Sequence, residues 1–294
     1  MKIYTRITCL LLIASLKSAA QLTTLKSNIE TLCKTKRATV GVALYDFETG
    51  DTLSIHGDEH LPMQSVFKFH IALTVLNEVD KGRFSLDQKI LITKGDLLPE
   101  TWSPIRDEHP QGNVKLSLTE ILSATVSKSD NNGCDILLRL LGGPTVVNDY
   151  IQHVGIKNCS IQISEEEMAK TWDAQFRNWT TPKAATELLK MVYDRKFLSQ
   201  DNYNLIWKMM IETSTGPKRL KKGVPSNAVI AHKTGTSGTK EGITAAINDI
   251  GIVKFSNGKS FAISVFVCNS KETMETNEQI IADIAKLASN YFSK

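Results

Sequence analysis

Four short stretches carry side chains that can do chemistry together: Ser65-Val-Phe-Lys68, Ser129-Asp-Asn131, Ser164-Glu-Glu-Glu167 and Lys233-Thr-Gly-Thr236. A serine hydroxyl is a poor nucleophile at neutral pH until a neighbour takes its proton. At positions i and i+3 of a helix, Ser65 and Lys68 share a face, which puts the amine within reach of the hydroxyl. A helix N-terminus adds free backbone N–H groups and the positive end of the macrodipole, both suited to a developing oxyanion. The Ser-Lys pair alone is a weak signal, because both residue types are common on surfaces. For the other positions ordinary structural roles stand beside the chemical ones: Ser129 and Asn131 as helix caps, Lys233 as a surface charge, Thr234 and Thr236 as strand residues. The chemical reading rests on their occurring together.

The elements that must position these groups follow from periodicity. Residues 22–36 carry an apolar stripe at Leu22, Leu25, Ile29 and Leu32, which predicts a helix. Residues 38–45 and 52–56 read as a strand hairpin. Apolar positions at Ile71, Ala72, Val75, Leu76 and Val79 predict a buried helix with Ser65 and Lys68 in its first turn. Ser117 and Glu120 form a capping box for a helix over 118–126. Further helices are expected at 135–141 (stopped by Gly142-Gly-Pro144), at 145–153, at 184–193 behind the cap Thr181 and Pro182, and at 204–212. The chain then turns β-rich at 228–233, 243–253 and 261–267, with Ser256-Asn-Gly258 as a hairpin turn, and ends in an amphipathic helix over 275–292. Strands at both ends and helices between them predict an α/β (α+β) fold. It comprises a five-stranded antiparallel sheet flanked by helices, plus an all-helical domain. The expected division is 21–64 with 214–294 as the sheet domain, and 65–213 as the mainly helical domain, including the acidic loop 163–178.

Residues 1–20 stand apart. Lys2 and Arg6, an apolar run from Ile7 to Leu16 and the small residues Ser18-Ala-Ala20 read as a cleaved secretory signal peptide, which predicts a periplasmic or secreted protein. No other stretch approaches the roughly 18 apolar residues of a membrane span. The chain of 294 residues carries a net charge of +4, and without Lys2, Arg6 and Lys17 the balance is +1, so nothing favours a nucleic-acid partner. The cysteines beyond the leader, Cys33, Cys134, Cys159 and Cys268, are too widely spaced for a metal knuckle and read as small buried hydrophobes.

The series S-x-x-K, S-D-N and K-T-G in this order is the signature of class A β-lactamases and penicillin-binding proteins. The chain resembles class A serine β-lactamases over essentially its whole length after the leader. That resemblance implies hydrolysis of the β-lactam amide through an acyl-enzyme on Ser65, with an oxyanion hole at the backbone N–H groups of Ser65 and Thr236. It implies that Ser129 relays a proton to the lactam nitrogen between Lys68 and Lys233, and that Asn131 binds the substrate's amide side chain. Lys233, Thr234 and Thr236 are expected to hold its carboxylate, and Gly235 to let substrate backbone approach. The family takes its hydrolytic base from a loop glutamate. Counting back from Asn178-Trp-Thr-Thr-Pro182 selects Glu165, with Glu166 as the alternative. Lys68 and Glu165 share base duties, and the sequence leaves open which takes the first proton. No metal or other cofactor is implied.

Several departures resemble the extended-spectrum PER/VEB branch, whose roomier site accepts bulky cephalosporins. Asp135 replaces a usual asparagine and Met168 a usual leucine. Asn178 and Ile163 stand where an aspartate and an arginine normally pair at the loop neck. Trp102 resembles an aromatic gatepost, and Arg219 a carboxylate-binding arginine whose other reading is an exposed basic residue. Ala169 falls where an asparagine or histidine usually holds the hydrolytic water, which predicts slow deacylation. The alternatives are a penicillin-binding DD-peptidase and a β-lactam sensor. Both are normally membrane-tethered, and the DD-peptidase lacks the loop glutamate. The six histidines show no His-x-His-x-Asp grouping for a metallo-β-lactamase, and no G-x-S-x-G marks an α/β-hydrolase. The expected partner is a small-molecule β-lactam substrate, and the expected state of the protein is a monomer.

Overall fold

The computed structural model describes residues 20–294, so the leader read in residues 1–20 lies outside the described residues except for Ala20. A first helix, α1 (20–34), leads into the hairpin β1 (Thr39–Asp46) and β2 (Thr52–Ile55). After the short strand β3 (Leu61–Pro62), a 3-10 turn over Gln64–Val66 opens directly into α2 (Phe67–Asp80). The helical part continues through β4 (Lys89–Ile92), α3 (Pro104–Glu108), β5 (Val114–Ser117), α4 (Leu118–Ser127), α5 (Asn131–Leu141) and α6 (Pro144–His153). Next come β6 (Cys159–Ser160), the loop helix α7 (Glu165–Ala169), β7 (Trp179–Thr180), α8 (Pro182–Tyr193) and α9 (Gln200–Ile211). The short α10 (Leu220–Gly223) precedes β8 (Val229–Thr236), β9 (Thr239–Lys240), β10 (Ile243–Lys254), β11 (Ser260–Ser270) and the closing α11 (Met274–Phe292).

The main sheet runs β2-β1-β11-β10-β8, antiparallel throughout. These are the five strands read from the sequence. The two-residue β9 also pairs with the start of β10, which makes the sheet six-stranded. On β11, Phe261, Ile263, Val265 and Val267 point to one face and Ala262, Phe266 and Cys268 to the other, the period of two that a pleat imposes. The first face packs on Leu25 and Ile29 of α1 and on Ile280, Ile281 and Ile284 of α11. The second packs on Ala185, Leu188 and Leu189 of α8 and continues into the helical core. Both faces are covered, so β10 and β11 are buried almost without interruption. At their hairpin Gly258 sits at φ 91°, a backbone state that glycine alone adopts without strain.

Helix α2 is buried around its first three turns, from Phe67 to Leu76, and forms the axis of the helical part. Its neighbours begin and end where local chemistry dictates. Ser117 and Glu120 close the expected capping box on α4, and the Thr181 hydroxyl accepts from Ala184 N–H at 3.1 Å to open α8. Two starts differ from the sequence reading. Helix α5 begins at Asn131 rather than 135, because the Asp130 carboxylate caps it through Gly133 N–H at 2.8 Å. Helix α9 begins at Gln200 rather than 204, capped by Ser199. The cysteines at 134, 159 and 268 are buried and Cys33 is half-buried, all four free thiols.

Candidate active site

Ser65 lies in the 3-10 turn, one turn earlier than expected, and Lys68 is the second residue of α2. The turn is set by Gln64, whose φ of 48° is left-handed, a strained state for a side-chain-bearing residue. It is held from two sides. The Gln64 amide donates to Gln175 Oε1 at 2.9 Å, and Asn248 donates to the carbonyls of Pro62 (2.8 Å) and Met63 (3.1 Å). Gly235 belongs to the same packing. A Cβ there would stand 2.5 Å from the Met63 carbonyl, so its smallness lets β8 lie against the Ser65 turn. The close approach this glycine allows in the structure is one of protein to protein.

Around Ser65 the groups converge. Lys68 Nζ lies 2.8 Å from Ser65 Oγ, 3.0 Å from the Ser129 carbonyl and 2.8 Å from Glu165 Oε1, and it also donates to Asn131 Oδ1. Ser65 Oγ in turn donates to Glu165 Oε1 at 3.3 Å. Lys68 is fully buried, and every partner but the Ser65 hydroxyl is a pure acceptor, so its amine is committed as a donor to them. Ser129 is the second strained residue, at φ 59°, and it bridges the two lysines: its carbonyl takes Lys68, its hydroxyl takes Lys233 Nζ at 2.9 Å. Lys233 is fully buried too. Burial first, and the positive charge of Lys68 second, hold it well below the usual lysine range, against the opposing pull of Glu165 and Asp249.

The three glutamates separate cleanly. Ser164 caps α7 and closes a capping box with Glu167, which is exposed. The Glu166 side chain is exposed. Only the Glu165 carboxylate reaches Ser65 and Lys68. Asp135, noted in the sequence only as a departure, accepts the backbone N–H of Glu165 at 2.8 Å and of Glu166 at 2.9 Å, so it pins the start of α7. Burial pushes its carboxyl up to about 6, while those two N–H groups pull the other way. The loop neck is closed by an amide in place of the usual ion pair. Asn178 is fully buried; its Oδ1 accepts Gln162 N–H (2.8 Å) and Ile163 N–H (3.1 Å), and its Nδ2 donates to the Ile163 carbonyl (2.8 Å).

A cleft of about 300 Å³ opens over these groups, lined by Ser65, Trp102, Ser129, Asn131, Thr215, Thr234 and Thr236. Trp102 stands 60% exposed at its mouth, its ring N–H fixed on the Lys128 carbonyl at 2.8 Å. Asp130, absent from the sequence-based site, anchors that wall through Ser103 Oγ and Ile105 N–H. An adjoining cavity of about 330 Å³ includes Gln64, Glu165, Ala169, Trp172 and Ser237 among its walls, with the Ala169 methyl where a polar side chain was expected. Asn131 lines both; its amide nitrogen already donates to Thr101 Oγ1 at 2.6 Å. Arg219 is 4% exposed, which corrects the reading of a surface basic residue. Its guanidinium donates to Glu278 (3.2 Å), to the carbonyls of Gly235 (3.0 Å) and Asn248 (3.1 Å), and to Thr236 Oγ1 (2.8 Å). It thus stands behind the strand and touches the cleft through Thr236. No sequence signal could have revealed those partners, which lie 16 to 59 positions away.

A serine in contact with a buried lysine and a carboxylate, with a second serine-lysine pair beside them, supplies the parts that acyl transfer followed by hydrolysis requires. Comparison with known proteins agrees. The family described as the beta-lactamase enzyme family matches residues 24–292. The chain belongs to this family. Within it the chain is a class A serine β-lactamase, 50% identical to beta-lactamase VEB-1 of Pseudomonas aeruginosa over 297 residues, covering 99% of each chain. It is 42% identical to the extended-spectrum beta-lactamase PER-1 of Pseudomonas aeruginosa, over 94% of this chain and 89% of that one. The crystal structure of TLA-1 extended-spectrum beta-lactamase superposes with a TM-score of 0.91 at 52% identity, covering 92% of this chain and 99% of that one.

Proposed function

We propose that this β-lactamase is an extended-spectrum cephalosporinase in which Ser65 is acylated and Glu165 drives hydrolysis. The observation that carries the reading is the Glu165 carboxylate within reach of both Ser65 and Lys68. The Ser65 hydroxyl attacks the lactam carbonyl and gives its proton to Glu165, the carboxylate to which it already donates. The tetrahedral oxygen is stabilised by the backbone N–H groups of Ser65 and Thr236. As the C–N bond breaks, the Ser129 hydroxyl protonates the leaving nitrogen and is reprotonated from Lys233, which donates to it at 2.9 Å. The low proton affinity of buried Lys233 suits it to that shuttle. Lys233, Thr234 and Thr236 bind the substrate carboxylate and Asn131 its amide side chain, with Gly235 keeping the strand close and Arg219 orienting Thr236. Glu165 then releases the proton it took from Ser65, which replaces the one given up to the lactam nitrogen, and as a carboxylate again it takes a proton from the water that attacks the ester. As the ester C–O bond breaks, that proton passes to the Ser65 oxygen and the opened product leaves. Trp102 and Trp172 bound the space for a bulky acyl group.

The same reading treats 21–64 with 214–294 as one domain and 65–213 as the other, with the site on their seam. It takes the protein as a monomer, since one chain supplies every group named. It takes it as exported, on the charge and small-residue pattern of residues 1–20. Among the described residues no helix is long and apolar enough to cross a membrane. The test is steady-state hydrolysis of benzylpenicillin and of an oxyimino cephalosporin, followed by loss of the β-lactam absorbance, with Ser65→Ala as control. Turnover of both substrates, abolished in the control, supports the reading. Turnover of penicillin alone would remove the extended-spectrum part, and turnover of neither would remove the function.

A further inference from the structure

We propose that a buried pair on the far face of β8, His232 with Asp249, is the positioning unit of the substrate-carboxylate site. The inference rests on the function proposed above. Strand β8 ends the main sheet, so its outer side has no neighbouring strand to fix it. The segment 213–220 runs along that side instead. Thr213 donates to the His232 carbonyl at 2.7 Å, Thr215 and Thr234 share a hydroxyl contact at 2.5 Å, and Arg219 binds the Gly235 carbonyl and Thr236.

Asp249 ties this arrangement to the sheet. It lies on β10 directly across from Thr234. Its carboxylate accepts Leu220 N–H at 3.2 Å, immediately after Arg219, and takes His232 Nδ1 at 2.9 and 3.1 Å, immediately before Lys233. One carboxylate therefore grips the strand that carries Lys233, Thr234 and Thr236 and the turn that carries Arg219. His232 Nε2 is buried without a partner, so Nδ1 carries the proton that reaches Asp249. Both side chains are enclosed, at 1% and 0% exposure, on a face otherwise filled by Ile230, Ile247 and Val253. Well-packed apolar residues at such places are often as stable as a buried polar pair or more so. What the pair adds is fixed geometry, and the groups it fixes are those that face the substrate's carboxylate.

The test compares one cephalosporin with its C4 methyl ester, which lacks the carboxylate. His232→Phe keeps the ring and removes the donor, and His232→Asn keeps a donor near the Nδ1 position. The ratio of kcat/KM for acid over ester should fall about tenfold in His232→Phe, mainly through KM of the acid, and stay within about twofold in His232→Asn. Asp249→Asn, nearly isosteric, provides the same readout if His232→Phe does not fold. An equal loss for acid and ester in His232→Phe, or an unchanged ratio in His232→Phe and in Asp249→Asn, would overturn the proposal while leaving the function intact. Failure of the unaltered protein to hydrolyse the acid would overturn the function itself, and the proposal with it.

Discussion

Replacing Asn178 by aspartate changes one atom group at the neck of the loop that carries Glu165. The carboxylate keeps the acceptor for Gln162 and Ile163 N–H, but its second oxygen then faces the Ile163 carbonyl that Nδ2 now satisfies at 2.8 Å. With Ile163 where the family has an arginine, no cation compensates, and the site is fully buried. The loop can stay closed only if the new acid keeps its proton and donates it to Ile163. Holding a carboxylic acid neutral costs about 1.4 kcal/mol for each pH unit above its ordinary pKa, so about 4 kcal/mol at pH 7 and about 1.5 kcal/mol at pH 5. Deacylation by Asn178→Asp, divided by that of the unaltered protein at the same pH, should therefore rise by up to about a hundredfold from pH 7 to pH 5. Taking the ratio at each pH removes the titration of Glu165 itself. The assay is the decay rate of the acyl-enzyme by rapid-quench mass spectrometry. A ratio that does not change with pH, or a variant as fast as the parent at pH 7, would refute the reasoning.

Three further outcomes follow from the site. Glu165→Gln should slow acylation as well as deacylation, the latter by about a hundredfold or more, because the same carboxylate serves both steps; acylation at the parental rate would return the first base role to Lys68. Ala169→His should raise a deacylation-limited kcat several-fold by holding the water, and no gain in single-turnover decay would remove Ala169 as the cause of slow hydrolysis. Asp135 binds its proton more tightly in the folded state, with a pKa of about 6 against about 4 unfolded, so its contribution to stability is complete below about pH 4 and is lost as pH rises through about 6. Urea unfolding should show the parent losing about 2–3 kcal/mol relative to Asp135→Asn between those limits, and parallel pH profiles would contradict this.

Local chemistry was legible in the sequence and long-range pairing was not. The capping box at Ser117 and Glu120, the cap and proline at Thr181 and Pro182, and the β-rich runs and hairpin turn of β10 and β11 depend on neighbours a few residues away, and each is found in the structure. The early start of α5 also has a local cause, the Asp130 cap, which an apolar-periodicity reading passes over. Arg219 could not be placed, because what buries it is Glu278 and two carbonyls from different strands. Asp135 stood out as a substitution, but its role as a pin on α7 arises only when α5 and the loop meet. The amide neck of Asn178 was read as a missing ion pair, and the structure supplies what replaces it. The smallness of Gly235 is visible in the sequence, but its packing against the Met63 carbonyl arises only when β8 meets the Ser65 turn.

The central claim is that Ser65 forms an ester that Glu165 then hydrolyses. It is tested most directly by the intact mass of the protein over time after mixing with a slight excess of a cephalosporin. The account predicts an adduct, mapped to the peptide holding Ser65, that appears early and vanishes as the drug is consumed. An adduct that persists for hours after the drug is gone, or none at all while the drug disappears, would contradict it.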